Sequence, residues 1–364
     1  MHVPFNDLSR IHKIIEKPVL KKFKKVIEKN SFILNEDIES FENNFAKFTN
    51  QKYSVSCNSG TDALELILRG LDIGKDDEVI VPVNSFVSTS FVVDNVGAKP
   101  IFVDNDEYYL IDLEDVNRKL TKKTKAVIGV NLYGQMCDVK KLKKICDDNK
   151  IYFIEDAAQS HGASQGKSFV GDESIAAGYS FYPGKNLGGW GDGGAITTNS
   201  NQLYNKLIKI RNVGSKVKYI HDTKGINSRL QPLQAIVLNE KLKFIDLWTE
   251  DRRLVAESYI SSMISNKKID LPKVQGLNNH VWHLFVIRVK NRKKFVDHCK
   301  NFGIETGIHY PTPIIKQKAY KDHWQYKKSF DNSFSQHKQL VSLPIFPMMS
   351  QKEINYVIEV VNKY

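Results

Sequence analysis

Between about residue 50 and about residue 200, short apolar runs are separated by segments of helical periodicity. This alternation restricts the chain more than any other feature. The runs are Tyr53–Cys57, Glu78–Val81, Pro100–Val103, Ala126–Val130, Tyr152–Ile154, Ile175–Phe181 and Ala195–Thr198. Several are apolar nearly throughout, as strands covered on both faces are. The helical patterns between them, Thr61–Arg69, Phe86–Asn95, Leu113–Leu120 and Asp138–Asn149, supply the crossovers that parallel strands need. The expected fold is α/β, a mostly parallel central sheet flanked by helices.

After residue 200 the character changes. Two long helical stretches come first, Gln202–Val213 and Leu230–Ser265. The second is too long for one unbroken helix, and a bend is expected near Asp246–Trp248. Trp282–Val289 reads as a strand, Lys294–Phe302 as a helix, Glu305–His309 as a strand and Gln351–Asn362 as a closing helix. Asn266–Asn279, with Pro272 and Gly276, reads as a connection. The expected division is a large α/β domain over residues 1–245, with an N-terminal helical segment, and a smaller α+β domain over 246–364. A chain of 364 residues can bury a substantial core.

The formal net charge is +12. The lysines are spread along many amphipathic segments, and the densest cluster, Lys21–Lys25, sits in a helical stretch with Val26 and Ile27. No zinc-finger, stacking or basic-region signature accompanies them, so nucleic acid is not an expected partner. A positive field favours an anionic substrate. The four cysteines, Cys57, Cys137, Cys146 and Cys299, form no Cys-x-x-Cys pair, which points to buried reduced thiols and no metal site. The first residues carry no apolar signal core, and no run reaches the roughly 18 apolar residues of a membrane helix, so a cytoplasmic location is expected.

Three motifs carry chemistry. In Ser180-Phe-Tyr-Pro-Gly-Lys185-Asn-Leu-Gly188 a lysine stands in a glycine-rich loop after an apolar run. In Ile154-Glu-Asp156-Ala-Ala-Gln159 a carboxylate ends another run, at the strand edge where α/β sheets bind ligands. Asn58-Ser-Gly-Thr-Asp62 lies between a strand and a helix, where backbone amides can take an anion and the same hydroxyls can cap the helix. An amine and a carboxylate are the two groups needed to hold pyridoxal phosphate (PLP), whose ring draws off electrons only while its nitrogen stays cationic. Opposite charges about 4 Å apart are worth about 4 kcal/mol at an effective dielectric of 20, enough to keep that nitrogen protonated. A Walker loop is excluded, because Tyr179 and Asn186 stand where glycine and a hydroxyl are required.

These motifs, with Pro82-x-Asn-Ser-Phe86, Gly97-Ala-x-Pro-x-Phe-Val-Asp104, Leu132-Tyr-Gly-Gln135, Gly191-Asp-Gly-Gly194, Asn227-Ser-Arg-Leu230 and Gly307-Ile-His-Tyr-Pro311, resemble the DegT/DnrJ/EryC1/StrS sugar aminotransferases over nearly the whole chain. The resemblance implies PLP fold type I, like that of aspartate aminotransferase. It implies that Lys185 forms the Schiff base with PLP and later moves protons as a free amine. Asp156 would pair with the pyridinium, Gln159 would lie near the ring hydroxyl, and Phe86 would stack on the ring. Gly60, Thr61 and Ser180 would hold the phosphate, and Asn227 would reach it from a neighbouring subunit of a homodimer. Tyr182, His309 and Tyr310 would face the nucleotide sugar. Phe86, His161, Asn227 and the His309–Tyr310 pair each also have a plain packing or turn explanation. Two positions depart from the family pattern. Gly184 replaces a small or hydroxyl residue, and Asn131 replaces a common histidine.

The implied reaction moves an amino group from L-glutamate, through pyridoxamine phosphate (PMP), to a keto-sugar nucleotide. Motif details resemble the branch acting on 3-keto sugars, so the expected conversion is dTDP-3-oxo-6-deoxyhexose to the 3-amino sugar, for a surface polysaccharide. A 4-keto or 2-keto substrate, or a non-transaminating PLP binder, are the alternatives. Lys185 argues against the deoxygenating dehydratases, which carry histidine there.

Overall fold

The computed structural model describes residues 1–264, 268–321 and 330–364. Each expected apolar run becomes a strand of one seven-stranded sheet: β1 (Tyr53–Cys57), β2 (Glu78–Pro82), β3 (Lys99–Val103), β4 (Thr124–Val130), β5 (Tyr152–Asp156), β6 (Ala176–Ser180) and β7 (Gly194–Thr198), in the order β1-β7-β6-β5-β4-β2-β3. All neighbours are parallel except that β7 runs antiparallel to β1 and β6. The reason lies in the chain between β6 and β7, which holds no helix. Without a crossover the chain must turn back, and that turn, residues 181–193, carries Lys185.

Adjacent strand residues serve opposite layers. Ile80, Val127 and Phe153 pack with helices α2 (Glu36–Phe48), α5 (Leu113–Lys119) and α6 (Val139–Asp148). Val79, Val81, Ile128 and Ile154 pack with α3 (Gly60–Gly70), α4 (Ser88–Asn95) and α7 (Asn201–Ile210). This double coverage explains the unbroken apolar runs. N-terminal α1 (Ser9–Lys29) lies against α8 (Pro232–Leu242), with Ile15, Val19, Ile236 and Val237 buried between them. No helix among the described residues is long and apolar enough to cross a membrane.

The C-terminal part builds its own antiparallel sheet from β8 (Ile269–Asp270), β9 (Phe285–Val289) and β10 (Leu340–Leu343), packed on α9 (Ile245–Ser262), α10 (Arg292–Asn301) and α11 (Gln351–Asn362). Helix α9 joins both cores. Ile245 belongs to the large core, while Val255, Ala256 and Tyr259 belong to the small one. The four cysteines are buried free thiols.

Several expectations shift. The long helical stretch breaks at Lys243–Phe244, before Asp246, where Phe244 leaves helical geometry and stacks on Trp248 at 5.6 Å. Ser265, its expected end, and residues 266–267 of the connection lie outside the described residues. Glu305–His309 is not a strand. Its only ladder contacts are single bridges, Ile304 beside it to Val3 and Gly307 to Ser342. The Glu305 carboxylate instead accepts the Phe5 backbone N–H (3.0 Å), and the His309 carbonyl accepts the Tyr133 hydroxyl, so the segment is held by side chains. Ile314, Ile315, Tyr320 and Phe330 pack into the large core, although they lie far beyond residue 245 in the chain.

Candidate active site

A cavity of about 770 Å³ lies over the C-terminal ends of the parallel strands. Lys185 enters it from the β6–β7 turn. Two backbone hydrogen bonds shape that turn: Lys185 N–H donates to the Tyr182 carbonyl (2.9 Å) and Gly189 N–H to the Phe181 carbonyl (2.7 Å). A Cβ on Gly188 would stand 2.2 Å from the Pro183 carbonyl oxygen, so this position admits no side chain. Helix α8 grips the same loop from below. Gln234 Oε1 accepts the Trp190 N–H (2.8 Å), and Lys241 Nζ donates to the Gly188 carbonyl (2.6 Å).

Lys185 is partly exposed and lines the cavity. Burial disfavours the ammonium and pulls its pKa from 10.5 to about 8, against the opposing pull of Asp156. Asp156, at the end of β5, is buried, and burial raises its pKa. The Thr89 hydroxyl (2.8 Å to Oδ2), the Ala158 N–H (3.1 Å to Oδ1) and Lys185 work in the opposite sense. Thr89 is itself fixed by Ser85 at 2.7 Å.

The third part of the site is an anion cradle. Ser59 caps α3 by accepting the Asp62 N–H (3.0 Å), and the hydroxyl of Ser228 ties Asp62 Oδ2 (2.6 Å) to the Asn58 N–H (3.1 Å). The amides of Gly60 and Thr61, in the first turn, have no intrahelical acceptor. A Cβ on Gly60 would stand 2.6 Å from Ser180 Cβ, and one on Gly194 only 2.2 Å from the Ser59 carbonyl oxygen. The two glycines let the start of α3 press against β6 and β7, which brings the Ser180 hydroxyl beside the free amides. The Thr61 hydroxyl donates to Ser88 (2.8 Å). A depressed-pKa amine, a buried carboxylate, an exposed Phe86 ring and a glycine-built cradle in one cavity form a donor set that fits PLP.

Gln159 lies at the cavity floor. Its Oε1 accepts the Tyr133 N–H (2.7 Å), and its Nε2 donates to the Tyr310 hydroxyl (3.1 Å). Burial pushes Tyr310 above the usual phenol range, so it stays protonated at neutral pH. His309 Nδ1 pairs with the Ser342 hydroxyl (2.8 Å), and burial with Lys185 nearby lowers its pKa to about 4, so the ring is neutral. The rings of Phe86 and Tyr310 lie 5.9 Å apart, and Tyr182 is exposed at the rim.

Gly60, Thr61, Phe86, Asp156, Gln159, Ser180, Tyr182, Lys185, His309 and Tyr310 thus meet in one cavity. Asn227 does not. It is exposed, bridged to Asn212, and lines no part of its own chain's cavity. His161 also lies outside, buried against Tyr179 and Phe181 at 5.5 and 5.8 Å. Asn131, the departure from the histidine pattern, bridges Glu155 (2.8 Å) and the Cys137 N–H (3.1 Å) within the buried layer. Gly184 lines the cavity. Further wall residues were not anticipated: Phe5, Asn6, Leu8, Thr89, Arg252 and His283. Only Thr89 carried a signal, four residues after Ser85 within a recognised motif. Arg252, at mid-α9, is buried and donates to the carbonyls of Trp282 (3.2 Å), His283 (3.4 Å) and Ile345 (2.8 Å), which ties together two separate segments at the cavity wall.

Comparison with known proteins places this geometry. A model of the DegT/DnrJ/EryC1/StrS aminotransferase family matches residues 13–362. The chain is 44% identical over 363 residues, 100% of this chain and 99% of the relative, to the dTDP-3-amino-3,6-dideoxy-alpha-D-galactopyranose transaminase of Aneurinibacillus thermoaerophilus. It is similar to the solved structure of S. venezuelae DesV in complex with a ketimine intermediate, with a TM-score of 0.97 at 37% identity, covering 100% of this chain and 98% of that one. It is also similar to NtdA of Bacillus subtilis with bound cofactor PMP, with a TM-score of 0.92 at 30% identity, covering 99% of this chain and 84% of that one.

Proposed function

The chain belongs to the DegT/DnrJ/EryC1/StrS aminotransferase family, and from that premise we propose that it transfers an amino group to the 3-keto carbon of a dTDP-6-deoxyhexose. It is an aminotransferase, and its cofactor is PLP, cycling with PMP. The observation that carries the proposal is the pairing within one cavity of Lys185, whose burial lowers its pKa to about 8, with the buried carboxylate of Asp156. The sugar is assigned from the relative 44% identical to this chain, a transaminase of a dTDP-3-amino-3,6-dideoxyhexose.

When bound, PLP supplies the electron sink that makes a carbon acid of the amino donor. The chain's own residues do the rest. Asp156 would hold the positive charge of the ring nitrogen, its carboxylate oriented by Thr89 and the Ala158 amide. The amides of Gly60 and Thr61 and the Ser180 hydroxyl take the phosphate. Phe86, which lines the cavity, would cover the cofactor ring. Lys185 Nζ, in its neutral form, would take the proton from the donor's α-carbon and pass it to the cofactor, and in the second half would carry a proton from the cofactor to sugar C3. Tyr182, His309 and Tyr310 face the sugar nucleotide.

L-glutamate as donor, a cytoplasmic homodimer, the division of the chain at residues 245–246 and a product bound for surface polysaccharide complete the proposal. Site sharing has specific support. The hairpin of Ser215–Val217 and Ile220–His221, just before Asn227, exposes Val217, Ile220 and Tyr219, the last at 82%, and such a patch calls for a covering partner.

Two variants test the reading. Lys185→Ala should abolish both turnover and the visible absorbance of lysine-bound cofactor while the protein stays folded. Full transamination by that variant would end the assignment. Mixed dimers of Lys185→Ala and Asn227→Ala subunits should regain activity, one site per dimer being intact. Failure to regain it counts against a shared site.

A further inference from the structure

We propose that the N-terminal strap, residues 3–8, is a built wall of the sugar subsite, with Phe5 positioning His309 and with Asn6 and Leu8 bounding the space beside Lys185, so that the strap determines which hexose the cavity accepts. The inference rests on the sugar-nucleotide reading above and deepens it.

The cavity lining falls into two groups with Lys185 between them. One group holds the residues assigned to the cofactor, Gly60, Thr61, Phe86, Asp156, Gln159 and Ser180, with Ser59 and Thr89 supporting them. The other has no cofactor role and leaves room for the substrate. Phe5, Asn6 and Leu8 belong to it, with Tyr182–Gly184 and His309. The Asn6 amide nitrogen lies 3.9 Å from the point a Cβ on Gly184 would occupy, so Asn6 stands against the residue next to Lys185.

The strap is anchored along its length to the C-terminal part of the chain. The Val3 N–H donates to the Gly303 carbonyl (2.9 Å), and the Glu305 N–H returns a bond to the Val3 carbonyl (3.0 Å). Val3 itself is fully buried in the small core. Glu305 Oε2 accepts the Phe5 N–H (3.0 Å). At the other end Arg10 grips Glu353 through two bonds (2.9 and 2.6 Å) and lies over the Phe346 ring. Between these anchors the Phe5 ring stacks on His309, centroids 5.7 Å apart and planes at 21°.

Gly307 makes that stack possible. A Cβ there would stand 2.7 Å from His309 Cε1 and 3.0 Å from Phe5 Cζ. With Nδ1 held by Ser342 and one face covered by Phe5, the His309 ring has a fixed orientation, and among the described residues its Nε2 takes no partner. That nitrogen is left for a sugar hydroxyl. A fixed wall discriminates by shape and by the placement of a few polar groups, which is how small-ligand sites obtain specificity.

The test uses the full-length holoenzyme and follows each half-reaction by the absorbance change between lysine-bound PLP and PMP. The probes are L-glutamate and dTDP-3-amino-3,6-dideoxygalactose, the latter read in the reverse direction. Phe5→Ala and Asn6→Ala should each lower kcat/KM for the amino sugar nucleotide by about 10-fold or more, mostly through KM, as loss of a wall contact does. The glutamate half-reaction and cofactor retention should change less than about 3-fold. Phe5→Leu, which preserves bulk, should recover part of the loss. An equal fall in both half-reactions would make the strap a fold element only and overturn the proposal, as would unchanged kcat/KM in both alanine variants. A wild-type enzyme that exchanges with glutamate but with no sugar nucleotide sinks the substrate reading, and the strap proposal with it.

Discussion

The lowered pKa of Lys185 makes a quantitative prediction about how the protein captures its cofactor. Only a neutral amine can attack the PLP aldehyde. A lysine with the ordinary pKa of 10.5 is about 0.1% neutral at pH 7.5, whereas one lowered to about 8 is about 24% neutral, a gain of roughly 240-fold. The sign follows from burial, which penalises the ammonium and so favours the form that reacts. The rate of appearance of the visible band, measured by stopped flow after mixing cofactor-free protein with PLP, should therefore rise with pH through a midpoint near 8 and level off above about pH 9. Asp156 is the charge that resists this drop, so in Asp156→Asn the midpoint should move lower still, even though cofactor retention weakens. A rate that climbs without inflection to pH 10 or beyond in the wild type, or a midpoint that moves upward in Asp156→Asn, would refute the argument.

Two further outcomes follow from packing. Gly60→Ala puts a methyl 2.6 Å from Ser180 Cβ, so the start of α3 must retreat from β6. We expect a loss of about 1–3 kcal/mol in stability by thermal denaturation, together with faster dissociation of PLP on dilution. Arg252→Met keeps the length of the side chain but strands the carbonyls of Trp282, His283 and Ile345. At about 1–3 kcal/mol for a buried group left unpaired, a fall of several kcal/mol in urea unfolding is expected, and a variant as stable as wild type would contradict the bonding described.

What was legible in the sequence had a local signature. The seven strands showed themselves because both sheet faces are covered, which leaves Val79–Val81 and Val127–Ile128 no solvent side and hence no polar alternation. Lys185, Asp156 and the Ser59–Asp62 turn stand in motifs whose glycines and caps shape the cavity directly. What escaped was assembled by distant contacts. Phe5 and Asn6 reach the cavity only because Val3 bridges Ile304 across nearly the whole chain. Arg252 and His283 carry no motif, and their place is set by where α9 and β9 pack. Glu305–His309 resembles a strand because Ile304, Thr306 and Ile308 recur at alternate positions. Its backbone groups, however, are committed to Val3, Ser342 and the Tyr133 hydroxyl, which no neighbouring residue announces.

Helix α9 bears on how the enzyme admits its substrate. At 1.5 Å rise per residue its 18 residues make a rod about 27 Å long. One end, Ile245, is locked into the large core and the other, Tyr259, into the small one, with Arg252 bolting the cavity wall at the middle. A jaw-like swing of one half against the other would have to snap this rod or pull an end from its socket. The wall behind the cavity is thereby braced from both cores, and the exposed Tyr182 ring at the rim is the part that can turn without disturbing that brace.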